Sequence, residues 1–92
     1  MENEKSDIKS NREVESKIDQ LDALINEAKV RYEQYFLDVV SFAPDEMIED
    51  INRMIRSLQN APFKNAAIRF RMNTVVRKYG TYKTYWQRVL KE

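Results

Sequence analysis

From Val14 onward, apolar side chains recur at Ile18, Leu21, Ile25, Ala28, Tyr32, Tyr35 and Val39. The steps alternate between four and three residues, the spacing that keeps one stripe of a helix facing a neighbour. Leu24, Phe36, Leu37 and Val40 widen the stripe toward its C-terminal end, which predicts more than one packing partner there. Ser10 and Glu13 have capping-box spacing just ahead of it. The helix is therefore expected to start near Ser10, with residues 1–10 as a flexible tail and 11–92 as a single helical domain.

Pro44 lacks an amide hydrogen and disfavours helical geometry at Ala43, so it should stop the first helix. It also suits the first position of a second helix, with Asp45 and Glu46 where the helix dipole favours acids. Ile48, Ile51, Ile55 and Leu58 give that helix an inner face, widened by Met47 and Met54, and it should end near Gln59 or Asn60. Pro62 can open a third helix capped by Asn60 or Ala61. Its stripe is Ile68, Met72, Val75, Tyr79, Tyr82, Trp86 and Val89, again in alternating steps of four and three. Gly80 falls outside the stripe and need not break the helix. Every apolar run has a better helical than strand reading.

The pattern predicts an all-α protein: two long heptad-patterned helices joined by a short one. An antiparallel helical hairpin, with the short helix folded across one end, is the first expectation. An up-down-up three-helix bundle is the alternative, and it leaves part of one long helix overhanging. Antiparallel pairing would bring Asp22 to Lys83 and Asp38 to Lys64, with Arg31 facing Arg71 or Lys78. It would also bury Trp86 as a core anchor near Val14, Ile18 or Leu21.

Charge adds an asymmetry. Residues 62–92 hold eight Lys or Arg and one acid, Glu92, whereas residues 1–61 hold eight bases against fourteen acids. The halves thus carry net +7 and −6 on a nearly neutral chain. Such a split suits either a nucleic-acid surface or two halves that fold together. Arg69, Arg71, Arg77, Lys78, Lys83 and Arg88 are the cations available for phosphate, and Tyr85 is the aromatic available for stacking. The candidate nucleic-acid contacts are Arg71, Lys78, Lys83 and Tyr85; Tyr79, Tyr82 and Trp86 lie on the stripe, where a core takes them.

Other chemistry finds little support. His and Cys are absent, which removes thiolate and imidazole chemistry, and no Gly-rich phosphate loop is present. Asp45, Glu46, Glu49 and Asp50 are explained by the dipole of a helix start and lack the Gly-containing loop that wraps calcium. No cofactor, metal or small-molecule substrate is expected, and no enzymatic activity. The acidic N-terminus has no apolar signal-peptide region, and no apolar run approaches the ~18 residues of a membrane span, so a cytoplasmic protein without a membrane partner is expected.

The stretch RFRMNTVVRKYGTYKTYWQRVLKE, Arg69 to Glu92, resembles an uncharacterised C-terminal helical domain of deltaproteobacterial, especially myxobacterial, proteins. The resemblance lies in Arg69-Phe70-Arg71, Asn73 and the Tyr-rich run into Tyr85-Trp86-Gln87-Arg88. Family members continue into an acidic, Gly-Thr-Tyr-basic tail where this chain ends. The resemblance implies an all-helical accessory domain in cytoplasmic, signalling-linked proteins, and it transfers no functional residue. The functional expectation is a non-enzymatic interaction or oligomerisation module with a protein partner, a second copy included. Nucleic-acid (RNA or single-stranded DNA) binding through the third helix is the alternative.

Overall fold

A computed structural model describes residues 2–60 and 65–91, residues 2–10 as backbone only. It contains three helices and, among the described residues, no strand: α1 (Glu2–Phe36), α2 (Asp45–Gln59) and α3 (Ala66–Lys91). The architecture is an up-down-up bundle built on α1, which packs against both α2 and α3.

The start of α1 differs from the expectation. The helix begins at Glu2 rather than Ser10, so the capping box is not used and residues 2–10 extend the helix. No Gly or Pro precedes Ser10 to interrupt it, and Glu and Lys are good helix formers. Upstream of Val14 the stripe positions are Asn11, Asp7 and Glu4. The apolar seam thus ends where the bundle ends, and the first turns of α1 project beyond it.

The end of α1 differs too. Pro44 is not the stop. Asp38 takes a left-handed conformation with φ 60°. The Val39 amide donates to the Gln34 carbonyl at 2.8 Å, and the Asp38 amide to that of Tyr35 at 3.1 Å. These two bonds are a Schellman closure, here with Asp where Gly is usual. It satisfies carbonyls that a helix end leaves unpaired and directs residues 37–44 off the helix axis. Leu37 and Val39 therefore leave the stripe and lie exposed.

Pro44 precedes α2 as its cap rather than its first residue, with φ −81° and ψ 58°. The Asp45 amide donates to the Ala43 carbonyl at 2.9 Å, closing an inverse γ-turn over Pro44. At the start of α3, Asn65 replaces the expected cap at Asn60 or Ala61. Its Oδ1 accepts from the amides of Ala67 and Ile68 at 2.9 and 3.1 Å, and Asn60 instead closes the end of α2. The expected roles of Ala61, Pro62 and Lys64 lie outside the described residues.

The two long helices run parallel, not antiparallel. Asp19 pairs with Arg71, Asp22 with Lys78, Lys29 lies over Tyr82, and Tyr32 stacks on Trp86. Positions rise together along both helices, an order that an antiparallel pair reverses. The reason lies in α2. Its fifteen residues are roughly 22 Å long at 1.5 Å each. Laying Ile48, Ile51, Ile55 and Leu58 along α1 returns the chain to the end where it began. The expected Asp22–Lys83 pair is accordingly replaced by Asp22–Lys78.

The stripes themselves form the core. Val14, Ile18, Leu21, Ile25, Ala28 and Tyr32 of α1 are buried, with Ile51 and Leu58 of α2 and Ile68, Met72, Val75, Tyr79 and Trp86 of α3. Trp86 is buried as expected, but against Tyr32 in the C-terminal half of the α1 stripe rather than near Val14. The Tyr79 hydroxyl donates to Asn52 Oδ1 at 2.8 Å, tying α3 to α2. Gly80 faces solvent, and a Cβ there would meet no atom within 4 Å.

Candidate interaction surface

Parallel packing sorts the basic residues of α3 by flank. Arg71, Lys78 and Tyr85 are seven apart and share the flank toward α1. Arg71 meets Asp19 at 2.6 Å, and Lys78 meets Asp22 together with the Asn26 side chain at 3.0 Å. Acids of the negative half thus neutralise two of the four candidate nucleic-acid contacts. Tyr85 is half exposed, its ring edge-on to Phe36 with centroids 6.4 Å apart. Lys83 lies on the opposite flank, 5.6 Å from the centre of the Tyr79 ring. The four sequence-predicted residues therefore do not form one open face.

A different set of cations is directed outward. Arg69, Arg77, Arg88 and Lys91 are exposed, and among the described residues none of them is ion-paired. Asp45, Glu46, Glu49 and Asp50 do not converge: among the described residues no three such side chains are arranged to hold a metal ion. Arg31, expected among α3 cations, instead lines a groove of about 520 Å³ with Phe42, Pro44, Asp45 and Glu46.

Two tyrosines have perturbed phenols. Burial, with Asp45 and then Tyr35 adding to it, raises the Tyr32 phenol above its usual value. Burial, followed by the proximity of Tyr32, does the same at Tyr79. Both act to keep the core phenols protonated and neutral.

The most unusual surface lies at one end of the bundle. Of the seven large apolar side chains exposed among the described residues, five lie there: Leu37, Val39, Phe42, Tyr85 and Leu90, with exposures from 49% to 85%. Beside them an open groove of about 620 Å³ is lined by Tyr35, Phe36, Val40, Val89 and Leu90 together with Asp38 and Ser41. The Schellman turn at Asp38 and the inverse γ-turn at Pro44 position the loop residues, and the last turns of α3 supply the rest. Sequence reasoning assigned Leu37, Val39 and Val40 to the core and missed Phe42. The signal was present: Phe36 to Ala43 is apolar apart from Asp38 and Ser41, too continuous for one helical stripe.

Compared with models of protein families, with curated proteins and with solved structures, the chain matches none. No helix among the described residues is long and apolar enough to cross a membrane.

Proposed function

We propose that the chain is a non-enzymatic helical interaction module whose contact surface is the apolar end formed by residues 37–42 and the C-terminal turns of α3. The observation that carries this reading is the concentration of exposed apolar side chains at that end. Scattered apolar residues are ordinary on a protein surface, whereas a contiguous patch marks a place where something binds. The loop bearing it is held by closed turns, so the patch is presented in one shape. Pre-organisation of this kind lowers the ordering cost of association.

A photo-crosslinking residue placed at Phe42 in cells making the protein tests the reading. A covalent adduct to another polypeptide, a second copy included, is expected from position 42 and not from position 74, on the outer side of α3. No adduct from position 42 beyond the position 74 background overturns it.

A second reading, nucleic-acid contact, is supported by the outward cations Arg69, Arg77, Arg88 and Lys91 rather than by Arg71 and Lys78. Affinity of that kind falls steeply with salt as counterions are released. A mobility-shift assay at low salt that retains no RNA or DNA, single- or double-stranded, removes it.

A further inference from the structure

We infer that the occupant of the apolar end is a second copy of this chain, docked end to end across a two-fold axis. The inference rests on the interaction-module reading and adds the partner. Two features of the end make it complementary to itself.

The first is shape. Phe42 has 85% of its surface exposed and lines the groove shared with Arg31, Asp45 and Glu46 on the α2 side, not the groove formed by Tyr35, Phe36, Val40, Val89 and Leu90 on the α3 side. The end thus carries both an exposed aromatic ring and, on its other side, an open groove whose walls mix apolar side chains with polar groups. A two-fold contact is isologous, so the Phe42 of each copy can enter the groove of the other.

The second is charge. The first turn of α2 carries exposed Asp45 and Glu46, and the last turn of α3 carries exposed Arg88 and Lys91. Both turns are at the same end of the bundle, and α2 and α3 flank the α1 terminus on different sides. Arg31 lies near Asp45 and Glu46, but among the described residues it pairs with neither within 4 Å. Rotation by half a turn about an axis perpendicular to the bundle sets the acidic side of one copy against the basic side of the other. Opposite potentials across a contact fix its register and suppress wrong partners.

Size sets the strength. The molecule measures 55 × 19 × 15 Å along its principal axes, so an end-on contact is limited to the small cross-section. Interfaces of that class belong with transient associations.

Sedimentation equilibrium from micromolar to hundreds of micromolar tests the inference, with circular dichroism melting to confirm the fold of each variant. The wild-type average mass is expected to rise with concentration toward twice that of the monomer. Phe42→Glu is expected to stay monomeric, with its melting curve unchanged because the side chain is exposed. A variant carrying Arg88→Glu and Lys91→Glu, and another carrying Asp45→Lys and Glu46→Lys, should each self-associate more weakly than wild type. An equimolar mixture of the two should regain association, because both ionic contacts are restored across the axis. A wild type that stays monomeric, a Phe42→Glu protein that dimerises like wild type, or a mixture no tighter than its components overturns the inference. A monomeric wild type together with adducts from position 42 to a different polypeptide removes the second copy and leaves the interaction module standing. Failure of both experiments removes both.

Discussion

The indole of Trp86 lies stacked on the ring of Tyr32, with centroids 4.4 Å apart and planes 21° from parallel. Tyr79 meets the same indole edge-on at 6.3 Å, and Tyr82 lies tilted at 5.9 Å. Trp86 is thus the hub of an aromatic cluster that joins α1 to α3, and it is almost wholly buried. Truncating a buried Trp typically costs ~3–5 kcal/mol, a large share of the roughly 5–15 kcal/mol that holds a domain folded. Trp86→Ala should therefore lower the urea midpoint sharply or unfold the protein, while Trp86→Phe, which keeps an aromatic ring, should lose less. An unchanged far-UV spectrum and melting curve for Trp86→Ala would contradict the hub.

Parallel alignment of α1 and α3 has a direct spectroscopic consequence. Spin labels at Asp19 and Arg71 should report a short distance, and labels at Asp19 and Arg88 a clearly longer one, because position 88 lies roughly 25 Å further along the helix axis, the rise of seventeen residues. Both α3 positions can carry a label without touching the core. A shorter distance to position 88 than to position 71 would mean that the chain packs as an antiparallel hairpin.

The stripes were legible because burial selects for period and the period is written in the residues. Ile18, Leu21 and Ile25, or Met72, Val75 and Tyr79, can be placed in a core before any neighbour is known. Direction was not legible. A heptad seam reads the same to a parallel and an antiparallel partner, and what decided between them was that α2 packs lengthwise along α1 rather than folding across one end, a direction set by the loop that follows α1. The end of α1 depends on one backbone choice, the left-handed conformation of Asp38, which Pro44 six residues later obscured. Because Asp38 turns the chain early, Leu37, Val39 and Phe42 became surface instead of seam. The four candidate contacts on α3 dispersed for the same reason: Arg71 and Lys78 face the acids of α1 only in a parallel pair.

The turn at Asp38 is also where the protein is least well matched to its sequence. A left-handed conformation is costly for a residue with a Cβ, less so for Asp than for most. A carboxylate at a helix C-terminus also opposes the helix dipole. Asp38→Gly relieves both and should stabilise the protein by roughly 0.5–1 kcal/mol after the added backbone entropy of Gly is subtracted. For a chain of this size each kcal/mol moves the melting temperature by about 4–8 °C. Asp38→Asn should recover the electrostatic part alone, and Asp38→Val should destabilise, because a β-branched residue resists positive φ. Equal melting temperatures for Asp38→Gly and Asp38→Val would rule out the Schellman closure.

Tyr79 gives the bundle a pH dependence whose sign can be worked out. Burial, then the neighbouring Tyr32, holds its phenol above the ordinary value, and the hydroxyl donates to Asn52 Oδ1 at 2.8 Å, a bond the ionised form cannot donate. The folded protein therefore holds the phenolic proton more tightly than the unfolded chain does. Below about pH 10 both states are protonated and the contribution to stability is complete. As pH rises above that value the unfolded chain ionises first, and stability falls until the folded-state value has been passed. Tyr79→Phe removes the proton and the hydrogen bond together. At neutral pH it should cost about 0.5–1.5 kcal/mol, the usual worth of such a bond, and above about pH 10 its stability should decline less steeply than that of wild type. Lysines titrate in the same range, but they are common to both proteins and drop out of the comparison. Urea midpoints for the two proteins, measured from neutral to strongly alkaline pH, provide the check. Alkaline limbs of equal slope would mean that the Tyr79 phenol ionises as readily in the bundle as in the unfolded chain, and that its place in the core is wrong.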